Sequence, residues 1–220
     1  MQASSRPASA RYPAELVTTV RWNNETITIR PIGPEDEAQH RAFVESLQPE
    51  DLRLRFFNTR PPLPPSELAR LTHIDYVHEM AFIAVRRLAD GSDHTLGVAR
   101  AVMDADGVDA ELGIIVRSDL KAQGLGRLLL SSLIAFLARR GTRRLIALVL
   151  HENLGMRSLA TSNGFVLDTA ASDAQALCFV LDLASALRQI KPPVAPAHPI
   201  EACGPASVSR ACATPARSLQ

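Results

Sequence analysis

The sequence predicts an α/β fold, a mixed sheet carrying helices, in one domain spanning residues 15–188. Three observations support this. Apolar alternation and helical apolar spacing interleave in the order strand, helix, helix, three strands, helix, strand, helix, strands. Gly-containing turns between residues 79 and 116 imply an antiparallel meander, whereas one later apolar strand reads as buried on both faces. Residues 1–14 and 189–220 are rich in Ser, Ala and Pro and lack apolar periodicity, so both ends are expected to be disordered.

Thr26–Arg30 alternates and is β-branched, which suits a strand, and Pro31-Ile32-Gly33-Pro34 breaks it. Glu35–Leu47 has acidic residues in its first turn and core-facing Ala38, Ala42, Phe43 and Leu47, a helical pattern. A second helix is expected over Pro49–Phe57, then a Pro-rich loop, with Ser66 as N-cap of a short helix through Leu71. Glu79–Leu88, Thr95–Met103 and Val108–Val116 form the meander. Gly124–Arg140 is a long helix with Leu125, Leu128, Leu129, Ser132, Leu133, Phe136 and Leu137 on one face, ended by Gly141. Leu145–Leu150 is the doubly buried strand, and Asn153–Ser162 is a helix closed by Asn163-Gly164. Phe165–Leu167 and Ala176–Leu183 are the last strands.

Of the 220 residues, 46% are hydrophobic and 21% charged, enough for a core and solubility, and the formal net charge of +1 gives no pull toward nucleic acid or a membrane surface. No apolar run approaches the roughly 20 residues of a membrane span, and the first residues have no signal-peptide core. The three cysteines, Cys178, Cys203 and Cys212, show no metal-binding spacing. The expectation is a reduced, cytoplasmic protein without a metal.

Residues 120–129 read LKAQGLGRLL, placing two glycines where a helix begins. That is either a plain turn or an anion cradle, because a helix N-terminus carries unpaired N–H groups and about half a positive charge. A P-loop is excluded, since Arg127 and Leu128 follow Gly126 where Lys and Ser/Thr are needed. A dinucleotide fingerprint is excluded, since Leu129 stands at the third glycine. What remains, Lys121-Ala-Gln-Gly124-Leu-Gly126, resembles the acetyl-CoA motif of the GNAT superfamily of N-acetyltransferases. A second signature of that family, an Asn-initiated helix ending in Gly-Phe, is matched from Asn153 to Gly164-Phe165. The resemblance covers residues 26–183. The stretches YPAEL (12–16), TIRPIGPED (28–36), SLQPEDLRLRFF (46–57), DYVHEMAF (75–82) and VRSDLKAQGLGRLL (116–129) are similar to the GNAT domain of bacterial protein lysine acetyltransferases.

Acyl transfer to an amine needs the amine deprotonated, and a lysine of pKa about 10.4 is neutral in only about one molecule in a thousand at pH 7. Glu111, in DAELGIIV, is the candidate base: apolar neighbours would raise its proton affinity, and the family commonly has a glutamate on this strand. Glu79 and Asp104 are weaker alternates. The resemblance implies main-chain contacts from Ile114, Ile115 and Val116 to the pantetheine arm, although these side chains also read as plain core. It implies N–H groups of Gln123, Gly124, Leu125, Gly126 and Arg127 on the pyrophosphate, with Arg127 a phosphate partner or a solvated helix residue. Lys121 stands where the family has Gln or Arg and offers phosphate a point charge. Asn153 caps its helix and, by resemblance, reaches the cofactor arm. Ala160 occupies the position at which many members carry a tyrosine acid. His73 and His78 read equally as loop residues or as lining of the acceptor path, whereas His151 reads more readily as part of an exposed loop than as lining of the cleft. The expected activity is acetyl-CoA-dependent acetylation of protein lysine side chains, without nucleic acid or membrane partners; acetylation of a small amine and a non-catalytic acyl-CoA sensor are the alternatives.

Overall fold

The computed structural model describes residues 11–57 and 64–189. Among them, eight strands form one sheet: β1 (Thr18–Trp22), β2 (Glu25–Pro31), β3 (Glu79–Arg87), β4 (Asp93–Met103), β5 (Asp109–Val116), β6 (Arg144–Leu150), β7 (Val166–Asp168) and β8 (Ala176–Asp182). Their order is β1-β2-β3-β4-β5-β6-β8-β7, and every neighbouring pair is antiparallel except β5–β6. The helices are α1 (Glu37–Glu45), α2 (Pro49–Phe56), α3 (Pro65–Thr72), α4 (Leu125–Arg140), α5 (Leu154–Ser162) and α6 (Leu183–Gln189). Helices α1–α3 pack on one face of β4 and β5, where they meet Val98, Arg100, Gly113 and Ile115. Helix α4 packs on the other face, against β3, β4 and β5.

Helix α4 starts and stops on glycines in the left-handed region, Gly124 (φ +85°) and Gly141 (φ +85°), a conformation that costs other residues a Cβ clash. It buries Leu125, Leu129, Leu130, Leu133, Ile134 and Leu137. The stripe is wider than the predicted face: Leu130 and Ile134 join it, while Leu128, Ser132 and Phe136 are half-buried. On the opposite layer, Arg100 is buried in β4, pairs with Glu79 and donates to the carbonyl of Leu71, pinning α3 to the sheet. Helix α1 is anchored by buried Asp36, which takes Arg30 bidentately at 2.6 and 2.8 Å and accepts from the Gly33 N–H. Helix α2 is seated by buried Asp51, whose carboxylate accepts from Ser118 Oγ and pairs with Lys121.

Several expectations are corrected. Strand β1 was not predicted; Thr18–Trp22 pairs with β2 through an Asn23-Asn24 turn at φ +48° and +64°, which asparagine tolerates. The last segment, α6, also goes beyond the predicted strands. Helix α3 begins at Pro65 with Pro64 at its cap position, so Ser66 lies inside the first turn instead of capping it. Strand β6 is not buried on both faces: Ile146 is half-buried and Leu148 is 43% exposed. Tyr12, expected in the disordered N-terminal segment, donates to the carbonyl of Pro31 and meets Tyr76 edge-on at 5.9 Å. The rest of that segment (1–10), most of the Pro-rich loop, the C-terminal tail from 190, Cys203 and Cys212 lie outside the described residues.

Two predictions follow from these buried polar groups. Burial, with Arg100 adding repulsion, pushes the His40 imidazole down to about 4, and its Nδ1 has no partner. The unfolded chain therefore binds this proton more readily, so stability is full above pH about 6.5 and is lost as pH falls toward 4, by on the order of 3 kcal/mol. His40→Leu should flatten the urea-unfolding free energy across that window; an unchanged slope would refute the assignment. Lys121 is about half exposed, so its pair with Asp51 is partly screened, yet removing either partner strands the other. A double-mutant cycle on Asp51→Ala and Lys121→Ala should return a coupling of about 1 kcal/mol by chemical denaturation, and a value near zero would show the contact to be ornamental.

Candidate active site

Strand β5 pairs with β6 through Asp109↔Arg144, Ala110↔Leu145 and Glu111↔Ile146 only. Beyond that point β5 continues to Val116 beside β4, and β6 continues to Leu150 beside β8. The two strands part, and the edge of β5 from Leu112 onward that faced β6 has no strand partner. Ile114, Ile115 and Val116 all lie past the split and are half-buried. Their placement suits the predicted main-chain contacts.

The glycine loop lies at the end of β5. One 3-10 turn, Ser118–Leu120, leads through Ala122 (φ +57°) and Gly124 into α4. Among the described residues, the N–H groups of Gln123, Gly124, Leu125, Gly126 and Arg127 have no backbone acceptor; the first such bond at this end of α4 is from Leu128 to the carbonyl of Gly124. Five free donors at a helix N-terminus make an anion cradle. A Cβ on Gly124 would meet nothing within 4 Å, whereas one on Gly126 would lie 3.4 Å from Leu159 Cδ2 and 3.8 Å from Ile114 Cδ1. Gly126 therefore seats the first turn of α4 against both β5 and α5. The loop is braced from outside: Trp22 Nε1 donates to the Gln123 carbonyl at 2.7 Å, and Asn23 donates to the Gln123 side chain. Sequence reasoning missed this brace because β1 itself was missed.

The remaining predicted residues are placed unevenly. Lys121 points its ammonium at Asp51 of α2 instead of standing free beside the loop. Arg127 is exposed and forms no ion pair among the described residues. Asn153 caps α5, its Oδ1 accepting from Met156 N at 3.0 Å. Ala160 is fully buried. Glu111 lies at the last β5–β6 pair, between Val102 on β4 and Ile146 on β6. The apolar neighbours are as expected, but enclosure is not: Glu111 is exposed, Val102 is 49% exposed, and no side chain bonds the carboxylate. Glu79, an alternate base, is neutralised by Arg100. His78 contacts Asp75 at 2.8 Å and His151 the carbonyl of Asp173 at 3.0 Å, both away from Glu111 in sequence and pairing. Arg53 of α2 joins Glu50 and, across the split, Glu152 after β6, each at 2.8 Å. No cluster of three metal-ligating side chains occurs among the described residues.

These features together are a helix N-terminus rich in free donors, a strand edge without a partner and an unpaired carboxylate on one cleft. The sequence matches the acetyltransferase (GNAT) domain over residues 26–166. The acetyltransferase PA5475 of Pseudomonas aeruginosa is 30% identical over 140 residues, covering 64% of this chain and 75% of that protein. The structure is similar to the GNAT domain of S. lividans PAT at a TM-score of 0.70 and 25% identity, covering 78% of this chain and 99% of that one. At 17% identity it shares the fold of spermidine N-acetyltransferase from Vibrio cholerae in complex with CoA and spermine, at a TM-score of 0.58 over 73% of this chain and 98% of that one. The eight-stranded mixed sheet with its parting strands is thus the GNAT fold, and the chain belongs to the GNAT acetyltransferase family.

Proposed function

We propose that this enzyme uses acetyl-CoA to acetylate lysine side chains of proteins, with Glu111 as general base. The observation that carries the reading is the position of Glu111: unpaired, at the parting of β5 and β6, on an open face with Val102 and Leu148. An open, partly apolar face suits a protein surface presenting a lysine, whose methylenes pack on Val102 while its nitrogen reaches the carboxylate. A small amine would be better held by an enclosed pocket, and neither the cavity along β7 and β8 nor the one beneath α1–α3 includes Glu111. The likeness to the GNAT domain of S. lividans PAT supports the same reading.

Bound acetyl-CoA supplies a thioester whose acyl carbon forms a bond to the amine nitrogen as its bond to sulfur breaks. The residues present fit that group. The free N–H groups of Gln123–Arg127, at the positive end of α4, take the pyrophosphate without a Cβ in the way at Gly124. The unpartnered edge of β5 at Ile114–Val116 offers main-chain groups to an amide-bearing arm, and the Asn153 amide can join it. Glu111 accepts the proton that the amine must lose, directly or through one water. A thiolate leaves without help from a strong acid, consistent with Ala160 at the tyrosine position. Lys121 acts here through Asp51, holding α2 against the loop. We place the protein in the cytoplasm, where CoA thioesters are available, and Cys178 is a free, buried thiol; no described helix is long and apolar enough to cross a membrane.

The test is release of CoA thiol with a purified acyl-CoA synthetase as acceptor, beside a panel of polyamines and amino acids. Glu111→Gln should lower kcat/KM by about 10²–10⁴-fold with acetyl-CoA affinity unchanged. Turnover with amines alone would shift the acceptor class to small molecules. Tight acetyl-CoA binding without turnover on any acceptor would indicate a sensor.

A further inference from the structure

Between the α1–α3 layer and the sheet lies a small, partly open cavity, about 30 Å³ in volume, which the mechanism above does not use. Its walls include Phe43 of α1, Leu47 just beyond that helix, Leu71 and Ile115, together with the polar His40 and Arg100. Gly113 is two residues from Glu111 on the same face of β5, and it lies past the point where β6 departs. An acyl group held at the free edge of β5 and attacked beside Glu111 therefore projects toward Gly113 and this cavity.

The cavity is small because of one side chain. Arg55 of α2 lays its guanidinium over Gly113: a Cβ at position 113 would overlap Arg55 Nη2 and Cζ. Arg55 fills the space that a side chain on β5 would take. It is held by packing and by the Phe56 ring, 5.0 Å from its Cζ, with no hydrogen bond or ion pair among the described residues. Burial and the nearby Arg100 push the guanidinium down to about 10, against an attraction to Glu111 that raises it, so it stays charged at neutral pH. Removing it breaks no ion pair, and opens the cavity toward β5.

We infer that Arg55, by covering Gly113, limits the acyl group this enzyme accepts to about the size of acetyl. The inference rests on the acyl-CoA reading above. A cavity of this volume takes about one or two heavy atoms, which accommodates a methyl. Each further methylene must displace the guanidinium, and a single methylene in a fitted pocket is discriminated by about 10–200-fold.

The experiment measures calorimetric affinity for unreactive ketone analogues of acetyl-, propionyl-, butyryl- and succinyl-CoA, in which a methylene replaces the thioester sulfur. The same series as thioesters gives kcat/KM. The proteins are wild type, Arg55→Ala, Arg55→Met and Leu71→Ala, the last widening the cavity from α3 should the Arg55 variants fold poorly. Wild type should bind the acetyl analogue about 10-fold or more tighter than the butyryl one. Arg55→Ala and Leu71→Ala should shrink that ratio by about 10-fold, while Arg55→Met, similar in length but uncharged, keeps it. Equal wild-type affinity for acetyl and butyryl, or a ratio unmoved by both Arg55→Ala and Leu71→Ala, overturns the inference. So does tighter wild-type binding of the succinyl analogue that Arg55→Met abolishes, since the guanidinium would then be a carboxylate receptor. Failure of wild type to bind any analogue would instead sink the acyl-CoA reading itself, and this inference with it.

Discussion

Strand β5 leaves β6 after three residue pairs, and the rest of the cleft is arranged around that departure. Each strand keeps its other neighbour, β4 for β5 and β8 for β6, so the sheet stays intact while a wedge opens within it. Backbone groups without partners are costly when buried, so such an edge persists where water or a ligand can satisfy it. The first turn of α4 lies at the wedge on one side: a Cβ at position 126 would reach contact distance of Ile114 and Val116 of β5 and of Leu159 of α5. Alanine would fit there in ordinary contact, and longer side chains would crowd these neighbours.

On the opposite face the helical layer is tied down by charges of unequal worth. Arg100 is buried and Glu79 half-buried, and removing Glu79 would leave the buried guanidinium without its charge partner, a cost of several kcal/mol. Asp51 is buried with two donors from the segment before the glycine loop, so α2 and the loop are positioned together. Arg53 to Glu152 spans the split at the surface, where solvent screens such a pair and it contributes little. The split is thus framed rigidly on the loop side and loosely across its mouth. That suits a cleft which must admit a long cofactor arm.

Most of the fold was legible because its elements carry local signals. The glycines bounding α4, the Asn153 cap and the alternation of β3–β5 all act within a few residues, and each appears where periodicity placed it. The glycine loop was legible for the same reason. What escaped depended on long-range contacts. Trp22 is informative only once its indole is known to meet Gln123, about a hundred positions away in sequence. The apolar run LIALVL looked doubly buried, but which face a helix covers cannot be read from one strand. The pairing of Lys121 was not legible because Asp51, its partner, is distant in the chain. The strand position of Glu111 was legible from its neighbours, yet its exposure was not, because exposure depends on what other elements cover β5. Arg55 read as helix packing, and only the absent side chain of Gly113 reveals what it packs over.

Helix α2 ends at Phe56, and its cap residue Phe57, at φ +62°, turns the chain out of the helix. Its last turn lays Arg55 over Gly113, and the charge of Arg55 is felt by Glu111, which stays exposed two residues before it. Alternate residues of a strand share a face about 7 Å apart, so one strand presents a covered glycine and an exposed carboxylate side by side. Under the proposed roles, the covered part selects among acyl groups, which are small and identical from one cycle to the next. The exposed part receives acceptors that share only an amine and a few methylenes. On that reading, covering Glu111 would narrow the acceptors, and uncovering Gly113 would widen the donors.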